Sequence, residues 1–225
     1  MIIGIDYSIK SPALTILNAN NEIIFVTLAR KSVIKKGIVT ALEAAGVKVV
    51  LIDDEPAHPK KTVLEKRERS SLEDAIMQTA TISSLIKEYE EKDLTGLSEH
   101  ELHIGIEGFS FGSTGNRLAQ ISGYQYMLRY ILYSKHDLKP ANFWVYAPMT
   151  IKAVAGKGNF KKEQMIEAFI NCEDPRLRAT GLWKAISENP AQFQTKRGLW
   201  EKPIDDIIDS FWVLITLESK TIKTI

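Results

Sequence analysis

Five carboxylates carry the chemistry in this sequence. Asp6 closes the apolar run IIGID, Glu107 closes LHIGIE, and Asp205, Asp206 and Asp209 crowd the start of KPIDDIIDSFWVLITL. Alone, each has an ordinary explanation as an exposed strand end or as an acid favoured at a helix N-terminus by the macrodipole. Together they pose a problem, because like charges about 4 Å apart repel by roughly 4 kcal/mol at an effective dielectric near 20. Two strand ends and one helix start converge at one point of an α/β sheet. Acids gathered there need a divalent cation, and a site of oxygens alone suits Mg²⁺, with Mn²⁺ as a substitute. On a helix both Asp205 (i, i+4) and Asp206 (i, i+3) neighbour Asp209, so spacing leaves open which of the two joins it.

A second feature is the distribution of positive charge. The net charge is only +1, but Gly108 to Lys162 contains Arg117, Arg129, Lys135, Lys139, Lys152, Lys157, Lys161 and Lys162 against the single acid Asp137. A solvated basic face is the plain reading; a surface that meets phosphates is the sharper one. An acidic cluster beside a basic block is the arrangement of two-metal phosphoryl transfer. Other chemistries fail on their own terms. GFSFG (108–112) has the form of a nucleophile elbow, but only His136 follows Ser110 and no acid lies between them, so the required order is broken. GKGNFKK is not a phosphate-binding P-loop, and the four histidines show no metal-binding spacing.

These residues need elements to position them. Residues 2–7, 13–17 and 22–28 read as strands of an antiparallel meander. Residues 30–62 read as an arm containing a short helix and a strand, and 63–92 as a long amphipathic helix. Then come a strand at 102–106, a glycine-rich turn, a helix over 117–134, a strand at 143–147, and a helix–turn–helix over 150–170. Residues 172–200 read as irregular. Pro203 reads as a first-turn proline of the last helix, whose core stripe is Ile204, Ile207, Ile208, Phe211 and Ile215. Strands followed by alternating helix and strand give an α/β layer fold.

Four segments, IGIDYS, IEGFSFG, APMTIKAVAGKGNFKKEQM and DDIIDSF, resemble the RuvC family of Holliday-junction resolvases. The third is the most specific, and the order of the four spans nearly the whole chain. The resemblance implies a ribonuclease H-like fold with a mixed central sheet, antiparallel then parallel, flanked by helices. It implies Asp6, Glu107, Asp206 and Asp209 as ligands of two Mg²⁺ ions, favouring Asp206 over Asp205. One ion would activate water for in-line attack on a DNA phosphodiester and the other would stabilise the leaving oxygen. Lys162 matches the family lysine, with a role at the scissile phosphate. Lys157, Lys161 and Arg117 are expected to contact DNA, and Phe109 or Phe111 to stack on unpaired bases.

The expected protein is therefore a single nuclease domain over 1–225, with an insertion within about 30–100 and an extended segment at about 172–202. Its expected substrate is a four-way junction or other branched DNA, cut by a homodimer with two symmetric sites. The long spacing between Asp6 and Glu107 resembles viral or phage relatives more than the compact bacterial enzyme. Rival readings are another ribonuclease H-like nuclease acting on branched or RNA–DNA hybrid substrates, and a junction binder that does not cleave. An actin-like ATPase lacks its phosphate loops here. The lone Cys172, no apolar run near 20 residues and no signal-peptide pattern fit the cytoplasm, or a host's cytoplasm for a viral protein.

Overall fold

The computed structural model describes residues 1–54, 64–93, 101–108, 115–136 and 138–220. Six strands form one mixed sheet: β1 (Ile2–Asp6), β2 (Ala13–Leu17), β3 (Ile23–Arg30), β4 (Lys48–Ile52), β5 (His103–Glu107) and β6 (Phe143–Tyr146). The spatial order is β4-β3-β2-β1-β5-β6. β1–β2 and β2–β3 are antiparallel, whereas β1–β5, β5–β6 and β3–β4 are parallel. This is the mixed sheet flanked by helices that the resemblance implies. Residues 36–52 differ from the arm read in the sequence: α1 (Lys36–Ala44) crosses over and β4 joins the sheet beside β3. KVVLI has the β-branched character of a strand, and pairing with β3 satisfies one edge of its backbone.

Alternation along each strand sorts the core into two layers. Ile3, Ile5, Leu14, Ile16, Val26 and Leu28 face one side, under α2 (Leu64–Asp93) and α3 (Gly115–Lys135). Ala13, Leu17, Phe25 and Ala29 face the other, under α1, α4 (Pro148–Ala155), α5 (Lys162–Ile170), α7 (Gly181–Glu188) and α8 (Ile204–Lys220). Polar pins hold the first layer. Asp74 on α2 is paired with Arg30 at the end of β3 and accepts from Tyr124 on α3 at 2.5 Å. His136, which the sequence left unexplained, bonds Glu90 at 2.7 Å and Ser83 at 2.9 Å, joining α3 to α2.

On the other face α8 lies against β1. An ideal Cβ on Gly4 would fall 2.3 Å from both Leu214 N and Ser210 O, so the strand carries no side chain where the helix backbone crosses it. Gly105, the register partner of Gly4, would put a Cβ 3.2 Å from Val213 Cγ1. The two glycines make a shallow groove across adjacent strands, and a buried hydrogen bond between Thr15 and Ser210 (2.7 Å) fixes the helix along it. The apolar stripe expected of α8 is too narrow. Ile204, Ile207, Ile208 and Phe211 are fully buried, but so are Ser210, Val213, Leu214, Thr216 and Leu217, while Ile215 is only half-buried. α4 and α5 cover the helix from outside, and Trp212 donates to Met165 O across that contact (3.2 Å). Pro203 lies just before the helix, and its carbonyl accepts from Ile207 N (3.0 Å).

Residues 172–202 are more ordered than expected. They form α6 (Pro175–Ala179), α7 and a 3-10 turn over Pro190–Phe193. Asp174 and Thr180 cap the two helices, and the Arg176 guanidinium grips Glu218 of α8 at 2.7 and 2.8 Å. The glycine groove makes a direct prediction. Gly4→Ala drives a methyl group into helix backbone and should cost about 3 kcal/mol or more, lowering Tm by roughly 6–12 °C. Gly37→Ala on α1, where an added Cβ meets nothing within 4 Å, should hold or slightly raise Tm. Thermal unfolding of the pair checks this.

Candidate active site

The glycines of the groove also set where the acids fall. Side chains alternate along a strand, so Asp6 shares a face with Gly4, and Glu107 shares one with Gly105. Both strands read glycine, isoleucine, acid: GID at 4–6 and GIE at 105–107. α8 occupies the groove, and each acid stands just past it, at the C-terminal ends of neighbouring parallel strands. The start of α8 brings Asp206 and Asp209 to the same place. This repeated motif is the signal in the sequence that most directly locates the site.

The electrostatics show which carboxylates face one another. Burial raises the Asp6 carboxyl well above its ordinary value, and Asp206, Glu107 and Asp209 push it further. Burial also lifts Asp209 to about 8, with Glu107 and Asp206 adding to it. Glu107 is raised to about 7 by burial and Asp206, against the opposing pull of Lys152 and Lys162. Asp206 is raised by burial and by Asp205. Asp6, Glu107, Asp206 and Asp209 are thus all raised by burial and by neighbouring acids, with Asp205 among the acids acting on Asp206 and Asp209. Asp205 behaves differently: burial pushes it up, but Lys202 and Lys162 outweigh burial and leave it below the usual carboxylate range.

Cationic partners divide along the same line. Lys162, at the first turn of α5, is paired with Asp205. Lys202 reaches both Asp205 (2.9 Å) and Asp206 (2.6 Å), and Ser11 donates to the second oxygen of Asp206. The lysine ammonium loses favour on burial, yet the Asp206 and Asp205 charges hold it above its ordinary value. By contrast, the carboxylates of Asp6, Glu107 and Asp209 make no hydrogen bond or ion pair with any described residue. Half-buried carboxylates without donors are costly, and hard oxygens of this kind are the donor set that Mg²⁺ or Mn²⁺ takes. The donors fit such an ion in type. Among the described residues, however, no three His, Cys, Asp or Glu side chains are already gathered as a metal cage. Asp206 is turned to Ser11 and Lys202 instead.

A cleft of about 240 Å³ opens beside the acids, lined by Glu107, Gly108, Pro148, Lys152, Lys162, Met165 and Asp209. Two acids and two lysines at one cleft suit an anionic substrate approached by a cation. The turn between α4 and α5 places Lys162 there. A Cβ on Gly156 would lie 2.5 Å from the Phe160 ring, and one on Gly158 would lie 2.8 Å from Met149 Cγ, so the chain folds back tightly only with glycines at both positions. Lys157 and Lys161 are exposed on that turn and at the start of α5. Phe109, Phe111 and the side chain of Arg117 lie outside the described residues. Lys202, Ser11 and Lys152 were not singled out as site residues. Lys202 was legible from its i, i+3 and i, i+4 spacing to Asp205 and Asp206, whereas Ser11 is 195 residues from Asp206 and no local pattern joins them.

No family model matches the sequence, and no curated protein matches it. The structure is similar to that of Thermus thermophilus RuvC, with TM-score 0.46 and 10% identity over 97% of this chain and 95% of that one. It is similar to T. thermophilus RuvC in complex with a Holliday junction substrate, with TM-score 0.49 and 10% identity over 97% and 94%. It is also similar to the yeast mitochondrial Holliday junction resolvase Ydc2, with TM-score 0.36 and 12% identity over 99% and 82%. No residue's role is carried across at these values, and the site is read on its own chemistry.

The repulsion predicts a pH-dependent stability. A carboxyl whose folded pKa is raised destabilises the fold fully above that pKa and not at all below the unfolded value near 4. For Asp209, raised to about 8, the window runs from about pH 8 down to about 4. Asp209→Asn should therefore raise the Tm of EDTA-treated protein more at pH 8.5 than at pH 5. Equal gains at both would contradict the raised pKa.

Proposed function

We propose that this chain is a divalent-metal-dependent endonuclease that hydrolyses phosphodiester bonds in branched DNA, with four-way junctions as its preferred substrate. The observation that carries the reading is the group of four carboxylates at the ends of β1 and β5 and the start of α8, each raised by burial and neighbouring acids and three of them without a donor among the described residues, beside a cleft lined by Lys152 and Lys162. A pure binding protein gains nothing from carboxylates that repel the phosphates it binds. The choice of substrate rests on the resemblance of the four sequence segments to the RuvC family; of the similar solved structures, which represent two proteins, one holds a Holliday junction substrate and one is a Holliday junction resolvase. With that reading the chain belongs among enzymes of DNA recombination and repair.

Asp6, Glu107, Asp206 and Asp209 would hold Mg²⁺ or Mn²⁺, which supplies Lewis acidity toward a phosphate oxygen when bound. The rest falls to the chain. Lys152 and Lys162 orient the phosphate at the cleft and offset its charge as negative charge builds in the transition state. Lys202 and Ser11 hold Asp206 against the sheet, and Lys202 carries part of the acids' charge. Asp205 anchors Lys162 at the mouth of the cleft. Lys157 and Lys161, exposed nearby, extend the positive surface along the DNA backbone. Two symmetric nicks in a junction call for two sites on a two-fold axis, hence a homodimer.

Cleavage of end-labelled four-way junction, Y-fork, linear duplex and RNA–DNA hybrid with Mg²⁺ and with EDTA tests the reading. Junction cleavage in Mg²⁺, none in EDTA and little on duplex is the expected result. Preference for the hybrid would move the chain to another nuclease class. Asp6→Asn should reduce cleavage by at least about 10³-fold, in line with loss of a principal electrostatic group, while leaving junction binding in EDTA within about twofold.

A further inference from the structure

Just before α8 in the chain lies a short hairpin whose features the cleavage site does not use. Gln194 and Trp200 pair as an isolated antiparallel bridge. Phe193 at its base is fully buried, and Trp200 packs against the same core cluster. The five residues between, Thr195-Lys196-Arg197-Gly198-Leu199, form a closed turn. Thr195 N donates to Leu199 O (2.7 Å), and Gly198 N donates to Thr195 O (2.9 Å). The Thr195 hydroxyl accepts from both Leu199 N (3.1 Å) and Arg197 N (3.3 Å). Gly198 takes φ 76°, which a side chain would resist.

Hydrogen bonds close this turn, and the side chains of Lys196, Arg197 and Leu199 are exposed on it. Lys196 and Arg197 are exposed and have no ion pair or side-chain hydrogen bond among the described residues. Leu199 is 59% exposed, a large apolar side chain with no packing role. Two unpaired cations beside an exposed leucine sit on a hydrogen-bonded turn, so a contact made there orders side chains but little backbone. The location is equally specific. Arg197 is five residues from Lys202, so their Cα atoms lie within about 18 Å, and Leu199 within about 11 Å. Lys202 touches Asp205 and Asp206. At about 3.4 Å per nucleotide along a strand, the span from Arg197 to Lys202 is at most about five nucleotides long, and the Lys202 side chain covers the remaining distance to the acids.

We propose that the 194–200 hairpin is a second nucleic-acid contact, with Lys196 and Arg197 on backbone phosphates and Leu199 against the face of a base left unstacked at a branch. The proposal rests on the nuclease reading and adds to it the element that favours branched over continuous DNA. Apolar wedges act at base steps that are already weakened, because less stacking is lost there. The two cations supply affinity without sequence preference, and the leucine supplies the preference for structure.

Equilibrium binding in EDTA to a four-way junction and to a linear duplex of equal length tests it, across a salt series. The Lys196→Ala, Arg197→Ala double variant should bind both DNAs at least tenfold more weakly and lower the salt slope by about two. Leu199→Ala should leave duplex affinity unchanged and weaken junction binding about fivefold. All three changes are on exposed positions, so unfolding curves matching the wild type confirm that folding is intact. If the wild type binds junction but both variants bind it equally well with the same slope, the hairpin is not a contact and the proposal fails while the nuclease reading stands. If the wild type binds no DNA, both fall.

Discussion

Helix α8 reaches β1 at backbone distance because no side chain stands at Gly4. A methyl there would meet the amide of Leu214 and the carbonyl of Ser210 at 2.3 Å. Much of the structure depends on that approach. With Gly105 beside it in register, the groove fixes the depth of the helix, and the Thr15–Ser210 bond fixes its position along the groove. The first turn of α8 then lands at the C-terminal ends of β1 and β5. The acids at 6, 107, 206 and 209 meet for geometric reasons before any electrostatic ones. Nothing in their charges favours the meeting.

The cost of that meeting is distributed among several groups. Asp205 and Asp206 open a helix, where the N-terminal end of the macrodipole favours negative charge. Lys202, one turn earlier, spans both, and Ser11 takes the remaining oxygen of Asp206. Asp6, Glu107 and Asp209 have no direct partner among the described residues, and burial outweighs the pull of Lys202, Lys152 and Lys162 and pushes all three toward their protonated forms. An arrangement that pairs two acids of a cluster and leaves three unpaired is difficult to explain by stability. The proposed divalent cation would account for it, since lysines paired to every acid would leave no carboxylate free to bind an ion.

Most of the architecture was legible in the sequence because it follows period-two and period-3.6 patterns. The strands ending at Asp6 and Glu107, the long α2 and the helix–turn–helix around the GKG turn all appear close to where the residues indicate. What escaped was tertiary. KVVLI reads as a strand, but no local pattern says whether it sits in an arm or pairs with β3. The segment 172–202 reads as irregular because its helices are short and depend on caps at Asp174 and Thr180 and on the Arg176–Glu218 grip. A narrow stripe was expected on α8 because a helix covered on both sides looks amphipathic only until its second layer is known. The four acids were visible as types and positions, and the GID and GIE repeat puts Asp6 and Glu107 on one face of the sheet. Spacing leaves Asp205 and Asp206 open, and in the structure they differ in their balance of charge: Lys202 and Lys162 hold Asp205 below its ordinary value, while burial and Asp205 raise Asp206.

The central claim is that these carboxylates form one divalent-cation site, and calorimetric titration of EDTA-stripped protein with Mn²⁺ tests it most directly. The account predicts saturable binding in the wild type that weakens at least tenfold in both Asp6→Asn and Glu107→Gln, two substitutions on different strands, while Asp205→Asn changes it much less. Binding that is absent in the wild type, or that survives both substitutions unchanged, would contradict it.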